Sequence, residues 1–600
     1  MIPTSRAVGR TLVLSTLVGV VAGLGAIVFQ VLCHLTQWLL LEGLAGYRQA
    51  GPAGEPALFH GGVTPFRPWL LPLLPALGGL VAGLLIARFA PEAGGHGTDE
   101  AVDAFHRRGG VIRGRVPIVK TVASAITLGS GGSGGREGPI AQIGAGFGSF
   151  LATRLGLSPR ERRTLLAAGV GAGVGSIFRA PLAGALFAAE VLYSDAEFEP
   201  DVIIPAAIST IVAYCVYSVK FGFSALFDTP RFAFRSAWEL VPYSVLAIVV
   251  ALASGLFVKV FYGTHDLFRR LPLAPAFKPM VGGLATGLLG LALYVALGDR
   301  RALDVLSFGY GSIQDALTGG MSIPLLLAIA GGKILATSFS IGSGGSGGVF
   351  GPSMVIGGAL GGTVGLLCQH FLPGVVTQPG AFVAVGMAGF FAAAANTPIS
   401  TLVMVSEMTG NYQLLLPSLW VCALAFLIGR RWKLYRNQVP SRIDSPAHRG
   451  AILGGVLRGL RVRDAIADRP LRSVPENAGL PEVLRLFLDT SQHFIPVVGP
   501  EGRLAGLISV DQVGEFLEQR AEPLPVIAHD LAAPPPATLR PDDDLDAALQ
   551  KLVAHGVEEL PVTDAPGGGR FIGLLSRRDI LVSYNQRRFE GAPGVAIAPS

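Results

Sequence analysis

Two stretches of this chain are nearly the same sequence. Lys120-TVASAIT-Leu128-GSGGSGG-Arg136-Glu137-Gly138-Pro139 recurs as Lys333-ILATSFS-Ile341-GSGGSGG-Val349-Phe350-Gly351-Pro352, at a constant offset of 213. Upstream, Gly95-His96-Gly97-Thr98 matches Gly309-Tyr310-Gly311-Ser312 at 214. Downstream, Ala180-Pro181 with Glu190 matches Thr397-Pro398 with Glu407 at 217. Three matched blocks at nearly constant spacing define a duplicated structural unit.

Both copies lie in sequence that water does not favour. Ile334–Ser406 runs 73 residues without a formal charge, which as helix is over ~100 Å, enough for about three bilayer crossings. Thr11–Leu41, Trp69–Ala87, Val202–Val219, Val241–Val258, Pro279–Gly298 and Met408–Gly429 are further spans free of Asp, Glu, Lys and Arg, or nearly so. Thr11–Leu41 is too long for a secretory signal and lacks a cleavage site, so it reads as a mature span. Gly19-x-x-x-Gly23 within it suits close helix packing. The four cysteines (Cys33, Cys215, Cys368, Cys422) sit in apolar stretches and read as small buried hydrophobes.

Charge divides the chain. Residues 1–440 hold 30 Lys/Arg and 20 Asp/Glu, against 17 and 21 in residues 441–600. The front is therefore an apolar membrane region of net +10, and the tail has the charge density of a soluble domain. No basic helix or aromatic-basic pattern points to nucleic acid. No Ser/His/Asp or metal-ligand cluster points to an enzyme.

In each copy a Gly-rich break precedes a Pro and then an apolar helix. Proline suits a first helical turn, and the free N–H groups there, with the positive end of the macrodipole, attract anions. Inverted-repeat transporters aim discontinuous helices of this kind at a substrate near the bilayer midplane. Two such helix starts make an anion site without a buried Lys or Arg. Glu137, an ionisable residue inside an apolar span, is a functional candidate by default. Charged, its carboxylate occupies the anion's place; protonated, it releases it. The plain alternative is a helix-capping carboxylate paired with Arg136.

GSGGSGGREGP at 129–139, GSGGSGGVFGP at 342–352, APLAGALFAAE at 180–190 and EMTGNYQLLLP at 407–417, with Tyr435 after the last span, resemble the CLC family of chloride channels and proton-coupled anion antiporters. The resemblance covers roughly residues 10–440. It implies an all-α polytopic fold of two inverted repeats with broken, tilted helices, at about 10–220 and 240–435. It further implies a homodimer in the lipid bilayer, with one pathway per subunit for chloride or a similar anion. By motif position Glu137 resembles the external gating glutamate. Gly97, Gly138, Val349 and Phe350 fall at anion-binding backbone positions, and Tyr435 closes the inner side.

Two positions depart from the family pattern. The first anion motif, G-S-G-I-P in the family, reads Gly95-His96-Gly97-Thr98-Asp99, so His96 replaces the anion-touching serine. It either donates through a ring nitrogen, binds more strongly when protonated, swings aside, or is simply a packed or solvated loop histidine. Val191, after Glu190, replaces the glutamate that carries protons from the inside in family antiporters. Valine carries no proton, so this reading favours a passive channel over proton-coupled exchange. Glu407, Asp195 or a water chain are substitutes if coupling exists.

The tail has its own repeat: Phe494-IPVVGPEGRLAGLIS-Val510-Asp511 parallels Leu560-PVTDAPGGGRFIGLLS-Arg577-Arg578-Asp579. It resembles a pair of CBS domains, α/β units at 441–520 (with linker) and 521–590, followed by a short tail at 591–600. Such pairs imply a cytoplasmic module. Ser576 and Asp579 retain the S-x-x-D ending suited to ribose hydroxyls; at Ser509 the acid is displaced by one. An adenine nucleotide (ATP, ADP or AMP) is a candidate ligand, with a purely structural dimerisation module as the alternative; no cofactor is required. Arg430, Arg431, Lys433 and Arg436 beside the last span fit a cytoplasmic exit, with the protein multi-pass in the plasma membrane. A rival reading is a nucleotide-sensing membrane receptor, which needs no anion path.

Overall fold

The computed structural model describes residues 5–59, 64–466, 472–489, 492–518, 526–565 and 569–590; the segment 591–600 lies outside them. The chain divides into two compact units, Met1–Ala447 and His448–Ser600.

The first unit is helical. Its first half runs α1 (Ser5–Gln37), α2 (Leu73–Phe89), α3 (Thr98–His106), α4 (Arg115–Gly129), α5 (Glu137–Arg154), α6 (Pro159–Ile177), α7 (Pro181–Glu190) and α8 (Pro200–Phe221). Its second runs α9 (Leu240–Arg270), α10 (Lys278–Leu297), α11 (Tyr310–Leu317), α12 (Ile323–Gly342), α13 (Phe350–Phe371), α14 (Pro379–Ala395), α15 (Pro398–Thr409) and α16 (Leu415–Gly429). Each helix of one half has its counterpart eight places on. Among the described residues, eight helices are long and apolar enough to cross a membrane. The charge-free run 334–406 is cut where Gly and Pro predict, into the end of α12, then α13, α14 and the start of α15. Pro181, Pro379 and Pro398 each open a helix, where a missing N–H costs nothing.

The two copies meet face to face. Gly135 and Gly348, equivalent residues of the repeat, pair with each other in an antiparallel bridge, with N···O distances of 2.7 and 2.5 Å. Only a two-fold relation sets a residue opposite its own counterpart. The side chains obey the same rule. Ser124 meets Ser346 at 2.8 Å and Ser133 meets Thr337 at 3.0 Å, one contact seen twice with the halves exchanged. Helix packing repeats too. Gly144 of α5 and Gly169 of α6 back onto each other so closely that a Cβ on either meets the other's carbonyl, as do Gly357 of α13 and Gly386 of α14. Close backbone approach through small residues is how helices associate where lipid supplies no hydrophobic drive. Gly19 and Gly23 of α1 fit against α8 in the same manner.

Apolar side chains also cover the outer surface. Leu12, Leu24 and Val28 of α1, Ile204 and Val219 of α8, and Val245 and Leu252 of α9 are exposed, as a lipid-facing belt requires. Cys33 and Cys422 are buried and Cys368 is half-buried, but Cys215 lies on the exposed face of α8. The expectation of a buried thiol fails there because an apolar helix in this unit has an apolar exterior.

The second unit is α/β. Strands β1 (Val474–Pro475), β2 (Phe494–Val498) and β3 (Leu504–Ser509) form one sheet in that order, and β4 (Glu559–Thr563) and β5 (Phe571–Ser576) form another. The pairings β2–β3 and β4–β5 are antiparallel with the same slip near their ends, so the weak sequence repeat is a structural one. Helices Leu480–Asp489 and Leu545–Ala554 precede β2 and β4, over cores centred on Val483, Ile495 and Ile508 and on Leu552, Leu560 and Leu575.

Candidate functional site

The helix starts expected at the two Gly-rich breaks are present. α13 begins at Phe350 with Val349 as its N-cap. Its first N–H groups have no acceptor one turn back. The Gly351 N–H donates to Glu137 Oε2 at 3.2 Å, and the Tyr310 hydroxyl donates to Glu137 Oε1. The Glu137 carboxylate, from the first residue of α5, thus sits on the positive end of α13, where an anion is favoured. Phe350 sends its ring backward against Phe178, Phe187 and Phe391. That leaves its backbone N–H, with that of Val349, at the mouth of the helix.

The pairing of Glu137 with Arg136 does not occur. Arg136 is fully buried and its guanidinium turns to Glu55 and, at 2.7 Å, to Gln30 Oε1. It also lies over the Tyr310 ring at 5.1 Å. Adjacent residues at a helix start point apart, so the two charges are not forced together. Nothing in the sequence marks Glu55, a lone acid in a Gly/Pro-rich loop.

Two buried lysines nevertheless support the site. Lys120 and Lys333, equivalents in the repeat, are both fully buried. Lys120 Nζ donates to the carbonyls of Ala93 (3.1 Å) and Gly95 (2.7 Å), and Lys333 Nζ to those of Asp304 (3.2 Å) and Ser307 (2.8 Å). Each ties down the loop that carries His96 or Tyr310 through these backbone carbonyls. Their identical place in the repeat was the signal available in the sequence.

At the other end of the pathway, His96 is nine-tenths buried and its Nδ1 has no hydrogen-bond partner. Its ring lies 5.5 Å from that of Tyr435 and 6.1 Å from that of Phe261. The Tyr435 hydroxyl is buried beside Thr98. Gly97 holds φ +84°, and a Cβ there would come within 2.7 Å of the Gly138 carbonyl oxygen, so the His96 loop rests directly on the start of α5. His96 and Gly97 line a cavity of about 800 Å³ with His265, Arg269, Lys278 and Arg436. A second cavity of about 460 Å³ lies at the opposite end, lined by His34, Glu55, Phe308 and Tyr310. The residues brought together therefore run from Tyr310 and Glu137, past Val349, Phe350 and Gly138, to Tyr435 and His96.

The proton-pathway candidates fall elsewhere. The Glu190 carboxylate accepts from the N–H groups of Ile399 (3.0 Å) and Ser400 (2.7 Å). The Glu407 carboxylate accepts from those of Leu182 (3.2 Å) and Ala183 (2.8 Å). Each acid caps the helix that carries its own counterpart, a reciprocal arrangement dictated by the two-fold. Val191 is fully buried, and Asp195 is paired with Arg430 at 2.7 Å.

In the tail, Ser576 and Asp579 engage each other. The Ser576 hydroxyl donates to Asp579 Oδ2 (2.6 Å), and the Asp579 N–H donates back to the hydroxyl (3.2 Å). The pair forms a capping box at the start of helix Arg577–Glu590. Ser509 makes the same box with Gln512. The fourth position of the first copy is thus an amide, where the second copy has the Asp579 carboxylate. No group of three or more His, Cys, Asp or Glu placed to hold a metal occurs among the described residues.

Comparison with known proteins gives the same assignment. The voltage gated chloride channel family model matches residues 78–430, and the CBS domain model matches 462–517 and 528–585. The chain belongs to the CLC family. The H(+)/Cl(-) exchange transporter ClcA of Yersinia pseudotuberculosis is 33% identical over 421 residues, spanning 70% of this chain and 84% of that protein. A slow cyanobacterial Cl-/H+ antiporter shares the fold at TM-score 0.59 and 22% identity, over 70% of this chain and 94% of that one. A eukaryotic CLC transporter does so at TM-score 0.58 and 20% identity, over 96% and 98%. As a CLC protein with eight membrane-length helices among the described residues, the chain is a multi-pass anion transport protein.

Proposed function

We propose that this protein exchanges chloride, or a similar small anion, for protons, as a homodimer with one pathway in each subunit. The observation that carries the proposal is the Glu137 carboxylate on the Gly351 N–H at the start of α13. Charged, it is itself the anion at that helix end. Protonated, it loses its charge and its claim on the site, and chloride takes the donors of Val349, Phe350 and Gly351. One proton on Glu137 then answers to an anion admitted. Gly138, Tyr435, His96 and Gly97 continue the path, the last two into the 800 Å³ cavity.

Exchange is favoured over the passive channel read from Val191 because the compared relative and the cyanobacterial fold neighbour are named as exchangers. The channel keeps a specific observation on its side: residue 191 is buried and carries no proton. On the Val191 side Glu190 is spent as a helix cap and Asp195 on Arg430, while Glu407 caps α7 towards the Tyr310 end, so we assign proton access past Val191 to water. The Arg430, Arg431, Lys433 and Arg436 cluster supports a cytoplasmic tail under the positive-inside rule and hence a plasma-membrane orientation with His96 inside. Family membership supports the dimer. Regulation by an adenine nucleotide rests on Ser576 and Asp579 alone.

The test is chloride flux into proteoliposomes against pH. Wild type is expected to slow as pH rises above the carboxylate range, while Glu137→Gln stays fast throughout. A Glu137→Gln profile that matches wild type contradicts the gating role.

A further inference from the structure

Tyr310 stands where the two-fold sets the counterpart of His96. It is the first residue of α11, after Gly309 in the left-handed region. The first motif of one repeat reaches one end of the pathway, and that of the other repeat reaches the opposite end. Resting on the gating reading above, we propose that Tyr310 is a second gate element: its hydroxyl latches the Glu137 carboxylate onto α13, and its ring walls Glu137 off from the 460 Å³ cavity.

The carboxylate is held at both oxygens by donors from different elements. Tyr310 takes Oε1 and the Gly351 N–H takes Oε2. A phenol has little freedom to lose in making such a contact, and here that little is removed in advance. The ring lies parallel to Phe308 at 6.3 Å and edge-on to Phe227 at 6.1 Å. The Arg136 guanidinium, fixed by Glu55, covers its face. Tyr310 lines the 460 Å³ cavity and Glu137 does not, so the ring is the layer between the acid and that cavity. A positioned donor favours the charged carboxylate over its protonated form. Tyr310 therefore opposes opening, and the pH at which the gate yields depends on it.

The other charged or titratable groups facing Glu137 are Arg136 beside it, Cys33 of α1, Lys333 of α12 and Tyr435, with Glu55 behind Arg136. Lys333 is committed to backbone carbonyls and Arg136 to Glu55. All remain when only the hydroxyl is deleted, so Tyr310→Phe isolates the latch. Tyr310→Ala removes latch and wall together.

The experiment measures radiolabelled chloride flux against pH in proteoliposomes of the full chain, for Tyr310→Phe, Tyr310→Ala, Glu137→Gln and both doubles with Glu137→Gln. A charge-assisted hydrogen bond corresponds to a ten- to hundredfold bias, so Tyr310→Phe is expected to move the midpoint of the curve up by about one to two pH units. It is expected to change nothing when added to Glu137→Gln. Tyr310→Ala is expected to raise flux even in the Glu137→Gln background, because the wall is gone. A wild-type midpoint in Tyr310→Phe beside a flat profile in Glu137→Gln overturns the latch and leaves the gate standing. A wild-type profile in Glu137→Gln itself overturns the gate. An equal effect of Tyr310→Phe with and without Glu137 reduces the hydroxyl to packing, and no effect of Tyr310→Ala in Glu137→Gln overturns the wall.

Discussion

Gly351→Ala perturbs the contact between Glu137 and α13 from the helix side. A Cβ at residue 351 would stand 2.6 Å from the Tyr310 hydroxyl and 3.1 and 3.2 Å from the two Glu137 carboxylate oxygens. The first distance is roughly 0.9 Å inside an ordinary non-bonded contact of about 3.5 Å, so the phenol or the acid must withdraw. The helix itself has no reason to object, since alanine is favoured over glycine there by up to ~1 kcal/mol. The cost falls on the latch. Losing one hydrogen bond to a charged acceptor removes about 1.5–3 kcal/mol, a ten- to hundredfold loss of the carboxylate's claim on the site. Chloride flux in proteoliposomes is expected to persist to a pH about one to two units higher than in wild type. A variant that folds, carries chloride and keeps the wild-type pH midpoint refutes the reasoning.

Glu55→Ala leaves Arg136 buried without its carboxylate. A loss of ~3–5 kcal/mol is expected, read as a lower unfolding temperature in detergent, and an unchanged temperature contradicts the assigned pair. His96→Ser restores a hydroxyl beside Tyr435 and is expected to shift permeability toward chloride over nitrate and bromide; identical ratios make His96 a packing residue. Asp579→Ala removes the N3 half of the capping box, a loss on the order of 1 kcal/mol for the hydrogen bonds given up. It is expected to lower the unfolding midpoint of the tail and to abolish any response of flux to ATP; an unchanged midpoint contradicts the capping box.

The duplicated architecture was legible in the sequence because a two-fold fold writes itself twice. The offset of 213 is the relation that pairs Gly135 with Gly348 and repeats the Ser124–Ser346 contact as Ser133–Thr337. Helix stops were legible for a local reason, since Gly and Pro act within their own turn. What was hidden depends on distant partners. Nothing near Arg136 says that it prefers Glu55, 81 residues away, to Glu137 beside it. Glu190 looked like part of a proton route, yet its acceptors are satisfied by the first turn of α15, a contact that exists only once the halves meet. Tyr310 was visible as the match to His96, but its contact with Glu137 arises from the crossing of α5, α11 and α13. The sequence points to a channel through one side chain, Val191, and a single position reports on one proton route, not on all of them.

The most direct test of proton-coupled exchange loads proteoliposomes with chloride, imposes an outward chloride gradient, and follows external pH with the membrane potential clamped by valinomycin and potassium. Exchange predicts that protons are drawn inward against no gradient of their own, at a fixed ratio to chloride lost, and that Glu137→Gln abolishes the proton signal while chloride still leaves. Chloride efflux with no proton movement in the wild-type protein contradicts exchange and makes Val191 the mark of a passive channel.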